Sequence, residues 1–86
     1  MTLYFKNSRG EMRVVAEFDS GMTDKEYLEA AGKEIKKFCD ARNFKIYYTR
    51  VWHTECKGQQ MTKFDVGSHT EFFYLDQVVN LKGCVV

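Results

Sequence analysis

The sequence predicts an α+β domain in which one helix packs across an antiparallel sheet, with its elements in the order β-β-α-β-β-β. Three observations carry this expectation. Short runs of alternating apolar and polar residues, bounded by turn residues, occupy both ends of the chain. One central stretch switches to helical spacing directly behind a capping sequence. The chain has 86 residues with 44% hydrophobic side chains, enough for one core and too few for two. Residues 1–86 are therefore read as a single domain.

The first element is the β-prone run Thr2-Leu3-Tyr4-Phe5-Lys6-Asn7, running into the turn chemistry of Asn7-Ser8-Arg9-Gly10. Met12, Val14, Ala16 and Phe18 then alternate with Arg13, Val15 and Glu17, which completes a β-hairpin. Asp19-Ser20-Gly21 breaks the second strand. Thr23 with Glu26 three residues later forms a capping-box pattern, so a helix is expected to start at Thr23 or Asp24. Leu28, Ala31, Ile35, Phe38, Cys39 and Arg42 share one stripe of that helix, and Glu26, Lys33, Lys37 and Asp40 lie opposite. Gly32 disfavours helix by about 1 kcal/mol relative to Ala, a cost offset if the bare position lets the helix approach a sheet. Asn43 supplies a left-handed stop.

Beyond the helix, Phe44, Ile46, Tyr48, Arg50 and Trp52 alternate with Lys45, Tyr47, Thr49, Val51 and His53 in what reads as one long strand. Strands over 61–66 and 70–75, separated by Lys57-Gly58-Gln59-Gln60 and Gly67-Ser68-His69, complete an antiparallel meander. Asp65 or Ser68 is expected to cap the second turn. Residues 77–86 are either a last edge strand around 78–81 or a loose tail. An exposed edge at the first strand or at this tail would allow a homodimer, favoured by the apolar Val78-Val79 and Cys84-Val85-Val86.

Charge and cysteine usage exclude several classes. Thirteen Lys and Arg against twelve Asp and Glu leave +1, so no overall field drives binding to DNA or to an anionic membrane. Three cysteines, Cys39, Cys56 and Cys84, are too few and too odd in number for a disulfide scaffold. No apolar run has the length of a signal peptide or spanning helix, which points to a cytoplasmic protein without membrane attachment.

One helix covers one face of a sheet, so the other face meets solvent or a partner. The third strand carries aromatic residues on both faces, and Phe72 and Phe73 are consecutive, so one of that pair must point away from the helix. Exposed aromatics anchor protein interfaces or stack on bases. Between Arg42 and Lys57, four basic residues stand against Glu55 alone, interleaved with Tyr47, Tyr48, Trp52 and His53, a mixture suited to single-stranded nucleic acid. Asp65, Glu71 and Asp76 in the following strands are placed to neutralise that charge across the ladder.

Signals for chemistry are weaker. His53-x-x-Cys56 is half of a zinc pattern that His69 and Cys84 would complete, giving a zinc-stabilised interaction module as a third reading. The pairing is too spread for a structural site, and no metal or other cofactor is expected. Cys56 with His53 or His69 lacks an orienting third group, and a chain this short leaves little for a deep pocket, so the protein is read as no enzyme.

The run Asp65-Val66-Gly67-Ser68-His69-Thr70-Glu71-Phe72-Phe73-Tyr74-Leu75, preceded by Tyr47-Tyr48-Thr49-Arg50-Val51-Trp52, resembles small proteins encoded by phages and mobile elements of Gram-positive bacteria. The likeness spans about the second half of the chain and supplies no catalytic residues. It implies an anti-CRISPR-like role in the bacterial host cell: a non-enzymatic phage or mobile-element protein that binds and inhibits a bacterial defence protein such as a CRISPR nuclease. Tyr47, Arg50, Trp52, His53, His69 and Phe73 are the expected partner-binding residues, because aromatic and arginine side chains dominate interface energetics. Direct nucleic-acid binding through the third strand is the alternative.

Overall fold

The computed structural model describes residues 1–81. Five strands and one helix follow in the expected order: β1 (Thr2–Lys6), β2 (Met12–Glu17), α1 (Asp24–Ala41), β3 (Arg50–Cys56), β4 (Gln59–Asp65) and β5 (Phe72–Leu75). They form one antiparallel sheet with strand order β2-β1-β5-β4-β3. β1 is therefore an interior strand, not the edge the sequence suggested. The edges are β2 and β3, and α1 connects them by crossing the whole sheet.

The helix begins as its sequence dictates. Thr23 Oγ1 accepts from the Glu26 amide at 3.2 Å and Glu26 Oε1 accepts from the Thr23 amide at 2.8 Å. Those bonds hold the Glu26 carboxyl below its ordinary value of 4.5. Met22 and Tyr27 occupy the two positions of a hydrophobic staple, and the Tyr27 hydroxyl donates to the Asp19 carbonyl at 2.8 Å. The buried stripe is Tyr27, Ala31, Ile35 and Cys39, with Leu28 and Phe38 packed beside it. Tyr27 had been overlooked because its polar tip masks an apolar body. Gly32 is exposed, and a Cβ there would touch nothing within 4 Å, so it mediates no close approach to the sheet. Asn43 does take the left-handed conformation at the helix end, with φ 55°.

The main core lies between helix and sheet. Leu3, Phe5, Phe64, Val66, Phe73 and Leu75 point toward α1, and the rings of Phe5, Phe38 and Phe73 lie 4.8 to 5.5 Å apart, centre to centre. The register puts Leu3 opposite Leu75 and Phe5 opposite Phe73. A register shift between Leu3 and Tyr4 marks a bulge on the β2 side, which twists that edge and weakens it as a template for further pairing.

Two elements differ from expectation. The long third strand is shorter and displaced: β3 starts at Arg50. Residues 44–49 instead form an irregular approach, with Phe44 and Ile46 packed against the core and the Tyr47 amide donating to the Val66 carbonyl at 3.1 Å. The apolar alternation recorded burial in a segment that never joins the ladder. β3 then turns into β4 through Lys57 and Gly58, both at positive φ (54° and 80°), the geometry of a two-residue hairpin. In the β4–β5 connection, Asp65 Oδ1 accepts from the Gly67 amide and Ser68 Oγ from the amides of Thr70 and Glu71. Gly67, at φ 104°, sits so close to Tyr47 that a Cβ would come within 2.9 Å of the tyrosine Cβ.

The segment after β5 is neither an edge strand nor loose across residues 77–81. Buried Thr62 offers its hydroxyl to the Gln77 carbonyl at 2.8 Å and accepts from the Val79 amide at 3.1 Å. Val79 enters the core, and the Asn80 amide donates to Asp24 Oδ2 at 2.8 Å. One buried hydroxyl thus replaces two rungs of a strand ladder. Residues 82–86, which include Cys84 and the end of the expected tail, lie outside the described residues.

Thr62→Val keeps the shape of this side chain and strands the Gln77 carbonyl and Val79 amide. The expected loss is about 1–3 kcal/mol, read as a lower urea midpoint with unchanged slope. Stability equal to the parent chain would mean that the hydroxyl does not hold this segment.

Candidate functional site

The face of the sheet opposite α1 has no helix over it. Strand alternation assigns it Thr2, Tyr4 and Lys6 from β1, Met12, Val14 and Glu17 from β2, Arg50, Trp52, Thr54 and Cys56 from β3, Gln59, Met61, Lys63 and Asp65 from β4, and Phe72 and Tyr74 from β5. The register sets Trp52 beside Lys63, Lys63 beside Tyr74, and Tyr74 beside Tyr4, one row across four strands. Cys56, Met61 and Tyr74 are buried here, with Tyr4, Met12 and Phe72 packed around them. The open face thus has an apolar floor of its own.

Lys63 is the centre of this face. Its ammonium lies 3.9 Å from the Phe72 ring centre, 5.4 Å from Trp52 and 5.8 Å from Tyr74, close enough for attraction to each ring face. Lys6 lies 5.9 Å from the other reach of Tyr74. Arg50 rests its guanidinium 4.8 Å above Tyr48 at the start of β3. Asp65 stands opposite Arg50 in the ladder, but its Oδ1 accepts from the Gly67 amide. Asp76 Oδ1 likewise accepts from the Thr2 amide. Two of the three acids expected to neutralise the basic strand are thus engaged by backbone, and among the described residues none of Asp65, Glu71 and Asp76 pairs with Lys6, Lys63 or Arg50.

The six residues expected from the sequence separate. Arg50 and Trp52 share the open face, with Trp52 36% exposed. Tyr47, 68% exposed, and His69 stand on irregular segments at the loop end of the sheet. His53 turns to the helix side, where its Nε2 meets the Val79 carbonyl at 2.6 Å. Phe73 is buried in the main core with only 2% exposure and does not reach the open face; its neighbour Phe72 is the one that points outward. Lys63, Lys6, Tyr4 and Tyr74 had been overlooked. The signal for Lys6, Tyr4 and Tyr74 lay in the phase of β1 and β5, where Leu3, Phe5, Phe73 and Leu75 on one face imply Tyr4, Lys6, Phe72 and Tyr74 on the other, and that for Lys63 in β4, where Phe64 on the core face puts Lys63 on the open one.

The zinc pattern is split by the same geometry. Three residues apart on one strand, His53 and Cys56 face opposite sides of the sheet, and Cys84 lies outside the described residues. Among the described residues no group of three or more side chains is placed to hold a metal ion. No described helix is long and apolar enough to cross a membrane.

Burial holds the Tyr74 hydroxyl above the ordinary phenol value of 10.0, with the neighbouring Cys56 thiol adding to the shift. The unfolded chain ionises first, so the stability Tyr74 contributes is complete below pH about 10 and is lost as pH rises through its folded value. Cys39, raised from 9.0 mainly by burial, begins the same decline somewhat earlier. Urea midpoints followed above pH 9 should therefore fall, and Tyr74→Phe should flatten the upper part of that fall; parallel profiles would refute a buried phenol on this face. No protein-family model matches the chain, and no curated protein or solved structure gives a significant match to it.

Proposed function

We propose that this chain is a small non-enzymatic binding protein of phage or mobile-element type that inhibits a bacterial defence protein, docking through the open face of its sheet. The observation that carries the reading is the Lys63 cluster, a cation seated among Trp52, Phe72 and Tyr74. Rigid aromatic side chains around a partly desolvated cation match the anchors that dominate protein interfaces. Lys6 and Arg50 widen the positive field, so an acidic patch on the partner is the complementary surface.

Single-stranded nucleic acid is the rival occupant, favoured by the interleaving of Trp52 with Arg50 and Lys63. Stacking needs bare ring faces, however, and here the Lys63 ammonium covers Phe72 at 3.9 Å while Tyr74 keeps only 4% exposure. A protein surface needs no such access, since it presses on the edges and rim of the cluster. That difference favours the protein partner.

The test is an interference assay in which a CRISPR nuclease targets an incoming plasmid in cells that make this protein. Plasmid survival should rise with the parent chain. It should drop by about tenfold or more with Trp52→Ala combined with Lys63→Glu, the loss expected when an interface anchor is removed. Full protection by that folded double variant would remove the open face from consideration. Failure to protect, together with a salt-sensitive shift of single-stranded oligonucleotides, would replace this reading with nucleic-acid binding.

A further inference from the structure

A second recess lies on the helix side of the sheet, away from the face proposed for docking. It is a cleft of about 270 Å³ at the C-terminal end of α1, slightly below the range of about 300–1,000 Å³ usual for small-molecule sites. Phe5, Phe38 and Phe73 supply its wall, the same three rings that pack at 4.8 to 5.5 Å in the core. Its polar lining is of mixed sign, with Arg42 and Glu71 both present.

The two charges are unspent. The Arg42 guanidinium lies over Phe5 at 5.2 Å and Phe38 at 4.9 Å, and among the described residues no oxygen accepts from its N–H groups. Ring contact fixes the plane of the fork while leaving its edge donors for a carboxylate. Glu71 is half-buried with its amide bonded to Ser68 Oγ at 3.1 Å, and its carboxylate meets no cation among the described residues. Arg42 and Glu71 line the same cleft, with Cys39 and Ser68 between the helix end and the β4–β5 connection. A cation, an anion and an aromatic wall around that space set three requirements on an occupant. It needs a carboxylate, an ammonium and an apolar group of modest size.

We propose that the cleft binds a free α-amino acid with an apolar side chain, its carboxylate on Arg42, its ammonium on Glu71 and its side chain against the half-buried Phe38 and Phe44. Each half of the zwitterion meets its opposite charge beside a low-dielectric wall, where pairing is stronger than in water. A purely apolar ligand would leave both charges unanswered, and a simple carboxylic acid would face Glu71 unscreened. The site is independent of the open sheet face, so its failure would leave the docking reading untouched.

The test uses the full chain titrated with phenylalanine and followed through its backbone amide NMR signals. Saturable shifts grouped at Cys39, Arg42, Asn43, Ser68 and Glu71, at up to a few mM, are the expected result. 3-Phenylpropionate, phenethylamine and alanine each lack one of the three groups and should bind about tenfold more weakly or worse. Glu71→Gln and Arg42→Gln, each with a dispersed spectrum that shows it folded, should lose the phenylalanine response. Arg42→Lys, which keeps the charge, should retain a weakened one. No response to phenylalanine, or equal binding of phenylpropionate, would overturn the proposal.

Discussion

The pairing of β1 with β5 is the contact on which the rest of the molecule depends. Four residues from the start of the chain lie against four from near its end, Leu3 to Leu75 through Lys6 to Phe72. This ladder joins the N-terminal hairpin to the β3–β4–β5 meander, and without it the hairpin is a two-stranded sheet, marginal alone, and the core is divided between two pieces. It also forces β2 and β3 to opposite edges, so the helix that links them must cross the sheet and cover one face from side to side. The same four rungs build both surfaces. Leu3, Phe5, Phe73 and Leu75 go to the core, and Tyr4, Lys6, Phe72 and Tyr74 to the open face. Because its partners are so distant in sequence, closing this ladder is entropically demanding, and folding is expected to be slower than for a helical chain of equal length.

Much of the fold was legible because its signals are local. The Thr23–Glu26 box, the Asn43 stop and the Asp65 and Ser68 caps each act within a few residues and formed as the residue types require, and the helical stripe formed with Tyr27 buried at its start and Arg42 exposed beyond its end. What escaped was non-local. No periodicity in Thr2–Lys6 says that β1 inserts beside β5, so the edge was assigned to the wrong strand. Phe44 to Thr49 alternates like a strand because alternate residues are buried, yet its backbone finds a single bond to Val66 in place of a ladder. The candidate site divides in the same way. Arg50 and Trp52 could be found from composition, but choosing Phe73 over Phe72 depended on strand phase, and the pairing that sets that phase joins the chain's two ends. Lys63 looked like an isolated charge in an acidic stretch. Its role comes from three rings on β3 and β5, none of which is its neighbour in sequence.

The two faces of the sheet use cations in related ways. On the helix side Arg42 lies across Phe5 and Phe38, and on the open side Lys63 lies across Phe72. In both places a charged side chain covers apolar ring surface while keeping its head in contact with water. A chain of 86 residues has too few elements to bury every aromatic ring beneath another strand or helix. Long basic side chains complete the cover. A partner that arrives at either place meets an apolar surface and a charge together, which suits selective recognition better than adhesion.

The segment from Gln77 to Leu81 gives the molecule a weak seam. Its hold on the sheet rests on side chains, chiefly the Thr62 hydroxyl, with His53 and Asp24 at Val79 and Asn80. A ladder resists opening cooperatively, rung by rung, whereas a clasp built around one hydroxyl lets go as a unit. Local opening is expected to begin with this segment, withdrawing Val79 from the core and releasing the Asn80 bond to Asp24 while the β1–β5 ladder stays closed. In native-state hydrogen exchange the Val79 amide is expected to belong to a sub-global unit, released at lower free energy than the amides of Phe73 or Phe5.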